Sequence, residues 1–171
     1  MNMKSDIFFQ KERAMNFKTI EKAVIWVVGF LAVSAFIGQV TSANMEWYDT
    51  LPKSPLNPPK WAFPIAWTSL YILLAIAASR FWMQRNDPYG KNHLTLFVIY
   101  MLFNWAWSFI FFTGHLVTPG FIWIVISDII LTTLIIILWR HDRRIETALI
   151  IPTLLWSFFA AYLNGYIAFN L

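Results

Sequence analysis

Cysteine is absent from the 171 residues, which excludes disulfides, thiolate metal sites and a cysteine nucleophile. Charge is scarce. Asp, Glu, Lys and Arg make up 13% of the chain, against about 25% in a soluble domain whose surface must stay wet. Low-complexity tracts, flexible linkers and internal repeats are missing as well, so a single unit is expected. What is present is apolar: 58% of the residues are hydrophobic and mean hydropathy is +0.56. A chain with so little polar surface fits the bilayer as its solvent.

Five apolar runs give that reading its shape, at roughly 23–40, 62–83, 94–113, 119–139 and 148–169. Each is about 20 residues long, the length a helix needs to cross ~30 Å of hydrocarbon. Barrel strands alternate polar and apolar residues, and these runs do not. The expected fold is therefore all-α, a membrane protein built as a five-transmembrane-helix bundle. Within the runs the only acid is Asp128 and the only base is Arg80.

The bases set an expected orientation. Lys4, Lys11, Arg13, Lys18 and Lys22 lie in the tail 1–22, Arg80, Arg85 and Lys91 after the second run, and Arg140, Arg143 and Arg144 after the fourth. Those three segments share one side, and the other side has only Lys53 and Lys60. The positive-inside rule then puts the N-terminus in the cytoplasm. The pI near 9.5 is accounted for by these loops, so no nucleic-acid partner is expected. Thr41-Ser42-Ala43 resembles a signal-peptidase site, but the run before it exceeds the usual 7–15 residues of a signal-peptide core. Retention is expected.

The connection from Thr41 to Trp61 stands apart from the three short ones. Pro52, Pro55, Pro58 and Pro59 stiffen it, and Trp47, Tyr48, Leu51, Leu56 and Trp61 favour burial, so it reads as a rigid lid on the outer side. Thr118-Pro119 and Asn57-Pro58 read as helix starts, and Pro64 and Pro152 as kinks within their helices.

Ten tryptophans are present. Interfacial anchoring accounts for Trp26, Trp47, Trp61, Trp82, Trp123 and Trp139, near run ends, and not for Trp105, Trp107 and Trp156. Helical spacing collects the deep residues into faces: Pro64, Trp67 and Tyr71; Asn104, Trp107, Ser108 and Phe111; Trp156, Ala160 and Asn164, with Phe159 and Leu163 alongside. These are either packing faces whose amides bond neighbouring helices, or three walls of an indole-lined slot for a flat, largely apolar ligand. Asp128, beside Ser127 and one turn from Thr132, is either a functional intramembrane acid or a hydrogen-bonded structural one.

The segments "WYDTL…PLNPPKWAFPIAWTSLY", "NWAWSFIFF", "SD" at 127–128 and "IPTLLWSFFAAYLN" together resemble the TspO/MBR family. This is the tryptophan-rich sensory protein and translocator protein family, also called the peripheral benzodiazepine receptor family. The resemblance covers the chain from about residue 23, and departs from the usual Lys-Pro after WY by the inserted Ser54 in Lys53-Ser54-Pro55. It implies a homodimeric five-helix bundle in a membrane, here the bacterial inner membrane. The implied ligands are porphyrins and, in some members, cholesterol, benzodiazepine-type compounds and isoquinoline carboxamides. The implied site lies beneath the first connection: Trp47, Tyr48, Trp67, Asn104, Trp107, Ser108, Trp156 and Ala160. The Leu/Val–Tyr–Lys/Arg sterol consensus is incomplete, since no base follows Tyr162 or Tyr166.

The functional expectation is thus a receptor or carrier for porphyrins and related tetrapyrroles, with a sensory or transport role. The alternative is an enzyme that degrades protoporphyrin in light, with Trp67 and Trp156 as electron donors. No acid pair, activated nucleophile or metal cluster stands behind that alternative, and no resident cofactor or metal is expected. His93, His115 and His141 sit at or beyond run ends, unsuited to bis-histidine heme.

Overall fold

The computed structural model describes residues 3–171, with side chains described from Glu21 onward; the tail bases Lys4, Lys11, Arg13 and Lys18 fall outside the described side chains. All regular structure among the described residues is helical: α1 Met3–Ala43, α2 Met45–Thr50, α3 Ala62–Met83, α4 Gly90–Ser108, α5 Val117–Arg140 and α6 Arg144–Phe169. A π-helical turn, Phe109–Thr113, continues α4. Five segments are long and apolar enough to span a membrane: Glu21–Ala43, Ala62–Met83, Gly90–Thr113, Val117–Arg140 and Arg144–Phe169.

The spans pack as a ring in the order α1, α3, α6, α5, α4, and α4 closes it by touching α1 and α3. One end carries α2 and the proline-rich connector. The other, the basic end, carries the turns Gln84–Tyr89 and His141–Arg143. The two halves of the bundle are filled differently. Toward the basic end, Leu74, Ala77, Phe81, Phe97, Tyr100, Leu134, Leu138 and Ile150 form a continuous, solvent-free core. The small residues Ala75, Ala77 and Ala78 let α3 sit close to its neighbours. Toward the connector the core breaks into two smaller clusters, one around Tyr48, Phe111 and Phe112, the other around Ile124, Ala160 and Ala161. Trp107 touches both.

Several helix ends differ from their expected places, each for a local reason. α6 begins at Arg144 because its polar first turn is carried into the bundle. There Glu146, 2% exposed, accepts hydrogen bonds from Arg80 Nε at 2.7 Å and Gln84 Nε2 at 2.8 Å. α4 begins at Gly90, after Tyr89 takes a left-handed φ of 64° that reverses the chain. Thr118 lies inside the first turn of α5 and caps nothing. Asn57 is no cap for α3, which starts at Ala62; it bonds the Tyr48 phenol and the Pro58 carbonyl instead. Pro64 is the third residue of α3, where the missing N–H has no helical partner to lose, so it breaks no hydrogen bond. Pro152, deep in α6, does remove one.

Candidate functional site

The connector is a built element. α2 follows α1 after the single residue Asn44, so part of the expected loop is helix. Trp47 lies flat on His115, centroids 4.1 Å apart and planes 9° apart, with its edge toward Phe111. This indole therefore pins α2 to the π-turn. Tyr48 is 7% exposed and donates its phenol hydrogen to Asn57 Oδ1 at 3.0 Å. Burial, with Asp49 adding to it, pushes the Tyr48 phenol up to about 12, so it stays a donor at physiological pH. Lys53 spans the tip, donating to the Tyr48 and Leu51 carbonyls and sitting over the Tyr48 ring. Ser54, 5% exposed, ties the connector to α6 through its hydroxyl and Tyr162 Oη, 3.0 Å apart. Leu56 and Trp61, expected to be buried, are 64% and 65% exposed. The proline turns face them outward, which places Trp61 where an interfacial indole sits.

Below the connector the three faces meet in pairs. Trp67 packs on Tyr71 at 5.9 Å, and the buried Tyr71 phenol donates to Asn104 Oδ1 at 2.9 Å. The Asn104 amide in turn donates to Tyr100 Oη at 3.3 Å. Asn104 is thereby positioned by α3 as well as by its own helix. Trp107 lies parallel to Phe111, 5.2 Å away and 8° from coplanar, and reaches the Ala160 cluster of α6. The π-turn starts two residues later and widens the helix there; such turns are rare and often mark functional sites. Ser108 is buried. Trp156 packs edge-on against Phe63 of α3 at 6.1 Å and against Phe159 at 5.6 Å, bridging the α3–α6 seam. The rings rest on one another, and the cleft between α5 and α6 lies on another face of the bundle.

Buried polar atoms without partners occur along the whole bundle, with Ser79 Oγ and Thr153 Oγ1 toward the basic end, Asp128 Oδ1 at mid-depth and a larger set toward the connector. The indole N–H groups of Trp105, Trp107 and Trp156 and both amide atoms of Asn164 are buried and unpaired. Asn164 faces Gly120, whose added Cβ would lie 3.6 Å from Asn164 Nδ2 and 3.0 Å from the Phe111 ring. Each buried, unsatisfied group costs about 1–3 kcal/mol. Two tryptophans pack away from the three faces. Trp123, expected at the interface, stacks on Phe103 at 4.5 Å and donates to the Phe103 carbonyl at 2.9 Å, a strut between α4 and α5. Trp105 packs on Phe30 of α1. Phe63 and the Ser54–Tyr162 tie were not singled out from sequence, because nothing local distinguishes them from lipid-facing side chains.

Among the described residues, no group of three or more His, Asp or Glu side chains could hold a metal ion. His93 and His141 bond directly, ring nitrogens 2.8 Å apart, at the basic end.

The family model described as the TspO/MBR family matches residues 23–169. A tryptophan-rich sensory protein from Cereibacter sphaeroides is 31% identical over 70% of this chain and 73% of its own length. A tryptophan-rich protein TspO from Chlorobaculum tepidum is 31% identical over 80% of this chain and 88% of its own. A translocator protein from Ovis aries is 28% identical over 81% and 87%.

Proposed function

The chain belongs to the TspO/MBR family, and from that premise we propose that it is a membrane receptor or carrier for porphyrins and related tetrapyrroles, held among Trp67, Asn104, Trp107, Ser108, Trp156 and Ala160. The observation that carries this reading is the set of unpaired donors on Trp107, Trp156 and Asn164, gathered in the half of the bundle that lacks a continuous core. A flat macrocycle offers π-faces to the indoles and carboxylates or ring nitrogens to the donors. It replaces the ring-on-ring contacts with contacts of equal kind, so the exchange costs little packing. Tyr48 and Trp47 act one layer up, by holding the connector over the site.

The positive-inside bias orients the protein with its N-terminus in the cytoplasm of a bacterial inner membrane, and the guest enters from the connector side. Two copies pair as a homodimer through the α1 face of half-buried Ser34 and exposed Gly38, where small residues permit close approach. Other flat apolar molecules, including sterols, benzodiazepine-type compounds and isoquinoline carboxamides, compete for the same rings.

Protoporphyrin titration of the full chain in nanodiscs tests the reading. Trp67→Ala and Trp156→Ala weaken binding at least tenfold while helicity by circular dichroism is kept. Unchanged titrations in both variants overturn it.

A further inference from the structure

Halfway along α5, Asp128 is 4% exposed; Ser157 of α6 is the one hydroxyl that reaches its carboxyl, and Oδ1 is buried with no hydrogen-bond partner. It lies eleven residues from Val117 and twelve from Arg140, about 16–18 Å from each helix end at ~1.5 Å per residue. That is the depth at which an acid with no cation beside it is most costly. The carboxyl lines a cleft of about 330 Å³ between α5 and α6, within the ~300–1,000 Å³ range of small-molecule sites. Val125, Ile129, Phe158 and Ala161 make the apolar walls, and Thr132 and Thr133 join Asp128 as polar members. Ile129 and Phe158 are 60% and 49% exposed, so the mouth of the cleft faces the bilayer.

We infer that this cleft is a second ligand site, entered sideways from the bilayer, for an amphiphile with a protonated amine head and an apolar tail. The polar lining is weighted toward acceptors, with the Thr132 hydroxyl able to donate as well as accept. Thr133 donates its hydroxyl hydrogen to the Ile129 carbonyl at 2.8 Å, which leaves only its oxygen lone pairs for a guest. Ionised Asp128 likewise only accepts. The lining holds no base, and the intramembrane Arg80 is bound to Glu146 at the basic end. An ionised carboxylate in hydrocarbon costs several kcal/mol unless a cation is beside it. An alkylammonium supplies both the charge and three donors, while its chain lies along Val125 and Phe158. A neutral alcohol supplies one donor and no charge. The site is independent of the tetrapyrrole reading, which concerns the α3, α4 and α6 faces.

Equilibrium binding of radiolabelled dodecylamine to the full chain in phosphatidylcholine nanodiscs, corrected for partition into empty discs, is the test. Wild type binds one amine per chain saturably, and Asp128→Asn lowers the affinity at least tenfold with helicity unchanged. Dodecanol shows no saturable binding to either protein. Should Asp128→Asn misfold, Ile129→Trp serves instead, since it closes the mouth from the lipid side without entering the core; it abolishes the saturable phase. Equal amine affinity in wild type and the folded variant overturns the inference, and so does dodecanol binding as tightly as dodecylamine.

Discussion

Replacing Trp107 or Trp156 by phenylalanine separates a packing role from a binding role, because the two roles give effects of opposite sign. Both indole N–H groups are buried without a partner. Deleting such a donor relieves a desolvation cost of about 1–3 kcal/mol. Against this stands the loss of one ring: roughly 40 Å² of apolar contact at ~25 cal/mol/Å², about 1 kcal/mol. In Trp107→Phe the smaller ring still lies over Phe111, where the indole now stacks at 5.2 Å. Each single variant is therefore as stable as wild type or up to about 2 kcal/mol more stable. Binding moves the other way. A hydrogen bond from the indole to a porphyrin carboxylate or ring nitrogen contributes about 1 kcal/mol, so each variant binds protoporphyrin about fivefold more weakly. The residues sit on different helices, α4 and α6, and the double variant loses about 25-fold if the sites are independent. Denaturant unfolding and porphyrin titration on the same preparations read both quantities. Destabilisation above about 3 kcal/mol with unchanged affinity would refute the reasoning and return both indoles to the core.

Further predictions come from other parts of the bundle. Glu146→Ala leaves Arg80 and Gln84 without their shared acceptor and costs about 3 kcal/mol, while the paired change Arg80→Met with Glu146→Leu recovers most of it; unfolding of these variants in detergent gives the comparison. Ser54→Ala or Tyr162→Phe cuts the tie between connector and α6, so porphyrin release measured by stopped flow speeds up about fivefold, as ~1 kcal/mol implies. Under illumination, protoporphyrin bleaches with purified protein no faster than with an unrelated membrane protein; faster product formation, abolished by Trp67→Phe with Trp156→Phe, marks an enzyme instead.

The spans were legible because hydropathy over ~20 residues reports the bilayer directly. Their ends were less so, since a polar turn can enter the bundle when its charge is answered from another helix, as Arg80 and Gln84 answer Glu146. Counting from Ala148 hid that second acid. The pairing of Trp107 with Phe111 could be read from i, i+4 spacing. Partner choice across the chain could not. Trp47 stacks on His115, and Trp123 bonds the Phe103 carbonyl, yet both stand near run ends like interfacial anchors. Position along a helix fixes depth in the membrane and leaves direction around the axis open. The π-turn at Phe109–Thr113 has no sequence signature at all, because its residues suit an ordinary helix equally well.

Fluorine NMR of the chain labelled with 5-fluorotryptophan locates the guest most directly, with the ten indoles assigned by single Trp→Phe substitutions. A bound macrocycle shifts nearby resonances through its ring current. Adding protoporphyrin moves the signals of Trp67, Trp107 and Trp156 and leaves Trp82 and Trp139, toward the basic end, in place. Shifts confined to Trp82 and Trp139, with the three inner indoles unmoved, would contradict the account.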